Sequence, residues 1–210
     1  MLQKDTLQAS TLELLKNLQY DKELQNFHLA GGTALALQIG HRKSIDLDLF
    51  SLVDFETNYL LEYMEQNYAF KLDYTAKNTL KGSIQNVKID FISHQYPLVN
   101  SIVEIENVRL YSVRDIAAMK LNAIAGNGTR CKDFIDIYFI LKQFSLNDIL
   151  NAYKIKYNSR NLLHIVKSLN YFDDINTQDF PEMVLEKKLN INHVKKTLSK
   201  YIFLFSNEIR

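Results

Sequence analysis

Residues 27–50 read FHLAGGTALALQIGHRKSIDLDLF, and this stretch decides the predicted fold. It opens with a short apolar segment, residues 27–30, that is typical of a strand and runs into Gly31–Gly32. Residues 33–39 have the composition of a helix. Residues 44–50 alternate polar and apolar side chains with a period of two, which indicates a strand with two different faces. The stretch therefore predicts a strand, a glycine turn, a helix and a second strand.

The flanking sequence extends this mixed pattern to about residue 112, and the remainder is helical. Further strands are predicted over 69–76, 79–85, 87–93 and 103–111, with Lys81–Gly82 as a possible turn. Helices are predicted over 6–19, 55–67, 113–125, 131–143, 145–155, 159–169 and 191–206. We therefore expect an α+β fold, in which a mixed β-sheet flanked by helices precedes a C-terminal helical lobe. The predicted boundary divides a core of residues 1–112 from a lobe of residues 113–210, with both packed as one unit.

Composition places the chain among ordinary globular proteins. It has 210 residues, of which 47% are apolar and 23% are charged, and its formal net charge is +1. This near-neutral balance gives no global electrostatic reason to expect nucleic acid or a membrane surface. Cys131 is the single cysteine, no apolar run has the length of a spanning helix, and the first ten residues lack the apolar core of a secretory signal. We expect a cytoplasmic protein without a membrane partner.

Two acidic residues carry the predicted chemistry. Asp46 and Asp48 are two positions apart on a predicted strand, so both carboxylates project from one face while Leu47 and Leu49 point into the core. Carboxylates this close repel each other unless a cation lies between them. A hard divalent ion, Mg²⁺ or Mn²⁺, meets that need and leaves positions open for phosphate oxygens. The pattern thus indicates a metal site that polarises a nucleoside triphosphate.

The residues before this acidic pair are suited to phosphate binding. Gly31 and Gly32 allow backbone to approach a phosphate, and the helix after them offers unpaired N–H groups. Thr33 and Ser44 add hydroxyl donors, and Arg42 presents a planar fork to a phosphate or a carboxylate. Each feature alone has a structural explanation: an ordinary glycine turn, a chance pair of acids at a strand edge, or a surface ion pair. Their order within one unit favours a nucleotide-handling site.

This stretch resembles the signature of the nucleotidyltransferase superfamily associated with DNA polymerase beta, and more narrowly that of the AbiEii/AbiGii toxin family. The matching residues are Gly31, Gly32, Arg42, Ser44, Asp46 and Asp48. The resemblance implies a nucleotidyltransferase-type core and transfer of a nucleoside monophosphate from an NTP. It also implies a toxin with a separately encoded antitoxin, because family members usually belong to two-gene abortive-infection or toxin–antitoxin systems. Some members transfer nucleotides onto tRNA.

The superfamily uses a third carboxylate on a later strand, and Asp90 is the candidate here. It is a lone acid among apolar neighbours in the segment VKIDFI, residues 87–92. Such a position costs free energy unless the acid is paired or binds a metal. The resemblance therefore implies that Asp90 is a third metal ligand, the general base, or both. The alternative is that Asp90 faces solvent beside Lys88.

The resemblance continues in residues 115–120 and 130–136, which read DIAAMK and RCKDFID. Residues 109–132 hold five basic side chains and one acid, the only clearly basic patch near a motif. Lys120 is the candidate to contact the triphosphate. Arg130 and Lys132 are candidates to steer a phosphate-rich substrate.

Two aspartates accompany these cations. Asp133 and Asp136 are three apart and lie on one face of the predicted helix. Asp136 is a candidate catalytic residue and Asp133 a candidate nucleotide-binding residue. Alternatively, Asp133 favours the positive end of its helix and Asp136 only holds Lys120 or Arg130 in place.

The predicted function is Mg²⁺-dependent transfer of a nucleoside monophosphate to tRNA or protein. Two alternatives stay open at this point. In the first, the acceptor is a small molecule, as in aminoglycoside nucleotidyltransferases. In the second, the fold is catalytically inactive and binds a nucleotide or a partner.

Overall fold

The computed structural model describes residues 1–208, which divide into two compact units. The first unit consists of Met1–Tyr96 and Ile102–Tyr111. The second unit consists of Pro97–Ser101 and the residues from Ser112 onward. The expectation that residues 1–112 and 113–210 pack as one unit stays a prediction.

The first unit is built on a mixed sheet with the strand order β3-β4-β5-β2-β1-β7-β6. Its strands are β1 (Phe27–Ala30), β2 (Leu47–Ser51), β3 (Lys71–Ala76), β4 (Thr79–Ile84), β5 (Val87–Ser93), β6 (Val103–Ile105) and β7 (Val108–Leu110). Its helices are a 3-10 turn (Lys4–Thr6), α1 (Ala9–Tyr20), α2 (Gly31–Ile39) and α3 (Thr57–Tyr68). Strands β2 and β5 pair in parallel, and β1 and β2 pair antiparallel.

Alternation of side chains gives this sheet one buried, mostly apolar face. Leu29, Leu49 and Phe91 are register partners on β1, β2 and β5, and none of the three exposes any surface. Leu47 is equally inaccessible, so the predicted core positions of the Asp-x-Asp strand are confirmed. Because side chains alternate along each strand, Asp48 and Asp90 lie on the opposite face.

The second unit is helical. Its helices are α4 (Val113–Gly126), α5 (Cys131–Ile140), α6 (Leu146–Tyr157), α7 (Leu163–Leu169) and α8 (Ile191–Glu208). Ser112 caps α4 by accepting the backbone N–H of Asp115 at 3.1 Å, and Ser145 begins α6 as part of a capping box with Asp148. Among the described helices, none is both long enough and apolar enough to cross a membrane.

A buried ion pair organises the start of this unit. The Asp115 carboxylate lies 2.9 Å from Lys156 Nζ, and both side chains are fully buried. The same carboxylate accepts the backbone N–H groups of Val99 and Asn100. Lys156 also donates to the Pro97 carbonyl at 3.2 Å, so the pair fixes the segment Pro97–Ser101 within the second unit.

The predicted fold class, a mixed sheet followed by C-terminal helices, is confirmed. Three details of the prediction were wrong. The strand predicted over 44–50 begins only at Leu47, which leaves Asp46 outside β2. Residues 103–111 form the hairpin β6–β7 rather than one strand, because Glu106 and Asn107 both adopt positive φ and reverse the chain. Lys81–Gly82 is not a turn, since both residues lie inside β4.

Candidate active site

Two of the predicted catalytic carboxylates lie side by side on the polar face of the sheet. Asp48 on β2 and Asp90 on β5 are direct register partners in the parallel pair, and both are half-buried. Neighbouring partners on adjacent strands project from the same face at a spacing that allows direct interaction. Asp46 precedes β2 by one residue and is exposed.

These carboxylates have the donor chemistry of a site for a hard divalent ion. Carboxylate oxygens are the ligands that Mg²⁺ and Mn²⁺ prefer. The positively charged Lys81 side chain already pairs with Asp90. Within residues 1–208, however, the acidic, histidine and cysteine side chains form no cluster of three that is ready to hold a metal ion. The set of Asp46, Asp48 and Asp90 as three metal ligands therefore stays a prediction.

Lys81 is the partner of Asp90. The two residues are directly opposite each other on the antiparallel strands β4 and β5. Lys81 Nζ lies 2.5 Å from Asp90 Oδ2, and the two side chains are 38% and 27% exposed. This contact is an ion pair at the rim of the site.

Gly31 makes room for Asp48. Its φ of +66° is a conformation that L side chains rarely adopt. A Cβ at this position would also lie 1.9 Å from Asp48 Oδ2. Glycine is therefore required here both by the backbone and by the Asp48 carboxylate.

Gly32 makes room for Arg42 in the same way. A Cβ at Gly32 would lie 2.3 Å from Arg42 Nη2. Arg42 is only 3% exposed, and its Nη1 donates to the Lys43 carbonyl at 3.0 Å. Arg42 is thus a buried cation beside the glycine turn, whereas an isolated surface ion pair would leave it exposed.

The predicted hydroxyl donors join the glycine turn to the acidic strand. Thr33 Oγ1 is hydrogen-bonded to the carbonyl oxygen of Asp46 and lies 2.8 Å from Ser44 Oγ. Helix α2 begins directly at Gly31, and within the described chain its N-cap residue, Ala30, makes no side-chain cap. The first turn of α2 therefore presents backbone N–H groups next to Asp48, and such groups favour anions.

The second unit holds the other predicted site residues, three of which form a buried charge cluster. Lys120 Nζ lies 2.6 Å from Asp133 Oδ1 and 2.7 Å from Asp136 Oδ2. These three side chains are 8%, 2% and 0% exposed. Arg130 Nε lies 3.8 Å from Asp133 Oδ2, and its side chain is 65% exposed. Lys132 is half-buried. Arg130 is therefore the most accessible cation of this group, and the roles of all five residues stay predictions.

Comparison with known proteins identifies the family. The profile of a family described as nucleotidyl transferase AbiEii toxin, type IV toxin–antitoxin system, matches residues 13–202. The chain belongs to this AbiEii family. It is therefore a member of a nucleotidyltransferase family of toxins, and the predicted resemblance is confirmed. An NTP substrate and an antitoxin follow from that membership at the level of the family.

This AbiEii-family chain is similar in sequence to a bacterial protein and similar in fold to two solved structures. An uncharacterised protein of Aquifex aeolicus (strain VF5) is 31% identical over 164 residues, which are 75% of this chain and 79% of that protein. JHP933 from Helicobacter pylori shares the fold with a TM-score of 0.56 and 18% identity, covering 96% of this chain and 94% of that chain. The antibiotic-resistance factor ANT(2'')-Ia has a TM-score of 0.53 and 15% identity, covering 70% of this chain and 91% of that chain.

Lys81 is a residue of the candidate site that the sequence analysis did not identify. A usable signal was present, because the predicted strands 79–85 and 87–93 meet at Asn86. A hairpin turn at Gln85 and Asn86, as the structure has it, places Lys81 opposite Asp90. A turn predicted at Lys81–Gly82 is incompatible with the pairing of Lys81 and Asp90. Gly82 is instead required by close packing, since a Cβ there would lie 2.2 Å from the Lys71 carbonyl oxygen.

Proposed function

We propose that this protein transfers a nucleoside monophosphate from an NTP to an acceptor hydroxyl on tRNA or protein and releases pyrophosphate. In this proposal its cellular role is that of a toxin that is counteracted by a separately encoded antitoxin. Membership of the AbiEii family supports the reaction type. The acceptor, the metal and the site residues are the proposed part.

The observation that carries the proposal is the register of Asp48 and Asp90 on adjacent parallel strands. Both carboxylates lie on the face of the sheet opposite Leu49 and Phe91. The Asp48 carboxylate occupies the space where a side chain at Gly31, the first residue of α2, would lie. A pair of acids next to a helix N-terminus combines donors for a divalent cation with N–H groups for phosphate oxygens. A triphosphate with a bound divalent ion needs both.

The reaction forms one bond and breaks another. The acceptor oxygen bonds to the α-phosphorus, the bond between that phosphorus and the α–β bridging oxygen breaks, and pyrophosphate leaves. We assign the acceptor proton to Asp90, whose carboxylate lies at the rim of the site. Mg²⁺ or Mn²⁺ held by Asp46, Asp48 and Asp90 would stabilise the charge that develops on the phosphate oxygens.

The glycine turn is proposed to bind the triphosphate. Backbone N–H groups at Gly31 and Gly32 supply neutral donors, and Thr33 and Ser44 fix the turn against the acidic strand through their hydroxyls. Buried Arg42 adds a permanent positive charge behind the turn. This arrangement binds the leaving pyrophosphate without itself exchanging protons.

In the second unit, Lys120, Arg130 and Lys132 are proposed to favour phosphate groups. Arg130 is exposed and is available for a phosphate-rich substrate such as tRNA. Lys120 is held by Asp133 and Asp136, so we propose that these aspartates set its position.

Transfer of a labelled nucleotide tests the proposal. Purified protein is incubated with each α-labelled NTP, Mg²⁺ and total tRNA, and then with total protein in place of tRNA. Label is expected in the tRNA or the protein fraction with the wild type and with the control Asp73→Asn, an exposed acid on β3. Asp48→Asn, which keeps the side-chain shape and removes the charge, is expected to abolish labelling. Equal labelling by Asp48→Asn would overturn the proposed site. Labelling of a small molecule alone would overturn the proposed acceptor.

A further inference from the structure

The proposed reaction assigns no role to Lys81, which lies beside Asp90 in the first unit. Its ammonium lies 2.5 Å from Asp90 Oδ2, the carboxylate proposed as third ligand or base. The contact is set by the backbone, because Lys81 and Asp90 are cross-strand partners in the β4–β5 hairpin. Lys81 therefore stays within reach of Asp90 whenever the hairpin is formed.

The charges around this contact explain why a lysine is stable here. Asp48 and Asp90 are adjacent on the sheet, and Asp46 is close in sequence. Without a cation, these like charges repel one another. The Lys81 ammonium supplies one positive charge from within the chain and compensates Asp90 in the protein without a bound ion.

The ion pair is accessible enough to be exchanged. The side chain of Lys81 is 38% exposed and that of Asp90 is 27% exposed. Ion pairs that are open to solvent contribute little net free energy, in contrast to the buried cluster around Lys120. A divalent ion carries twice the charge of an ammonium and takes several oxygen ligands at once. It is therefore able to replace the lysine at Asp90.

We infer that Lys81 is a tethered competitor for the divalent cation at Asp90, and that it leaves Asp90 when the ion binds. This inference rests on the proposed function, since it assigns Asp90 to the metal site. Lys81 then acts as a positioning residue: it holds Asp90 while the site has no ion and raises the ion concentration needed to fill the site.

Equilibrium binding of Mn²⁺ to the full-length chain, followed by electron paramagnetic resonance without any nucleotide, tests the inference. Lys81→Met removes the competing charge and is expected to tighten Mn²⁺ binding by about two- to fivefold, the range that an exposed ion pair supports. Lys81→Arg keeps a positive charge opposite Asp90 and is expected to bind Mn²⁺ no more tightly than the wild type.

Lys88→Met is the matched control. Lys88 is exposed and lies two residues from Asp90 on β5, so its removal changes the net charge and the local field without removing the ion pair. We expect a change of less than about twofold, because solvent and salt screen exposed charges. Tighter Mn²⁺ binding in Lys81→Met than in Lys88→Met supports the inference.

Two results would overturn the inference. The first leaves the proposed metal site standing, and the second overturns that site as well. If Mn²⁺ binds in a manner that Asp48→Asn abolishes, but Lys81→Met binds no more tightly than Lys88→Met, the competitor role alone is wrong. If neither the wild type nor Lys81→Met shows any Mn²⁺ binding that depends on Asp48, the proposed metal site fails as well.

Discussion

Gly31 and Asp48 occupy complementary space, since a Cβ on Gly31 would lie 1.9 Å from Asp48 Oδ2. The glycine pair and the acidic strand therefore depend on each other, because the absence of a side chain at Gly31 makes room for the Asp48 carboxylate. The same relationship joins Gly32 to Arg42. Both glycines that suggested a phosphate-binding loop are thus also required by the protein's own charged groups.

Gly31→Ala is expected to abolish transfer and to destabilise the chain. The positive φ alone costs about 1–2 kcal/mol for an L residue, and Asp48 must also move away from the new methyl group. Urea denaturation and the labelling assay measure the two effects.

Gly126→Ala is the control, because no atom lies within 4 Å of a Cβ built there. It is expected to keep its activity and to gain up to about 1 kcal/mol. Full activity in Gly31→Ala would contradict this account.

Gly32→Ala is expected to act through Arg42. The new methyl group displaces a buried guanidinium that has little room to move. A double-mutant cycle with Arg42→Met measures the coupling from unfolding free energies. Gly32→Ala should be costly alone and nearly harmless once Arg42 is replaced, with a coupling of about 0.5–3 kcal/mol. Additive costs would show that Gly32 has another role.

The sequence predicted the strand–turn–helix–strand unit well because its pattern is local. Helix α2 and strand β2 form where the pattern indicates, but α2 already includes Gly31–Gly32 and β2 starts at Leu47, after Asp46. Lys81 escaped notice because its importance depends on hairpin register, which a misplaced turn changes. The hairpin at Glu106–Asn107 was missed for a related reason, since a glutamate with positive φ is not a usual turn signal. The burial of Arg42 depends on packing, which no local pattern reports.

Lys120→Met is expected to destabilise the second unit strongly. The substitution leaves Asp133 and Asp136 buried with no ammonium between them. Breaking a buried ion cluster in this way costs about 3–5 kcal/mol. Chemical denaturation measures it, with exposed Lys188→Met as a control that should stay within about 0.5 kcal/mol of the wild type. A stable but inactive Lys120→Met protein would contradict this structural role and leave only the proposed interaction of Lys120 with phosphate groups.

His28 is expected to make stability depend on pH. Burial and the nearby Arg109 lower the pKa of His28 from 6.5 to about 4. The unfolded chain therefore binds a proton at this residue between pH 6.5 and 4 that the folded chain does not bind, so the free energy of unfolding falls as the pH drops through this range. His28→Gln removes the titrating group. Denaturation curves across this range should show a shallower pH dependence for the variant, and identical slopes would contradict the assignment.

Asp48 and its neighbours are proposed to direct attack at the α-phosphorus of an NTP. Parallel assays with α-labelled and γ-labelled NTP, total tRNA or total protein as acceptor, and Mg²⁺ test it most directly. The α label is expected to enter the acceptor and the γ label to leave as pyrophosphate. Neither event is expected with Asp48→Asn. Incorporation of the γ label, or incorporation of the α label that is unchanged in Asp48→Asn, would contradict it.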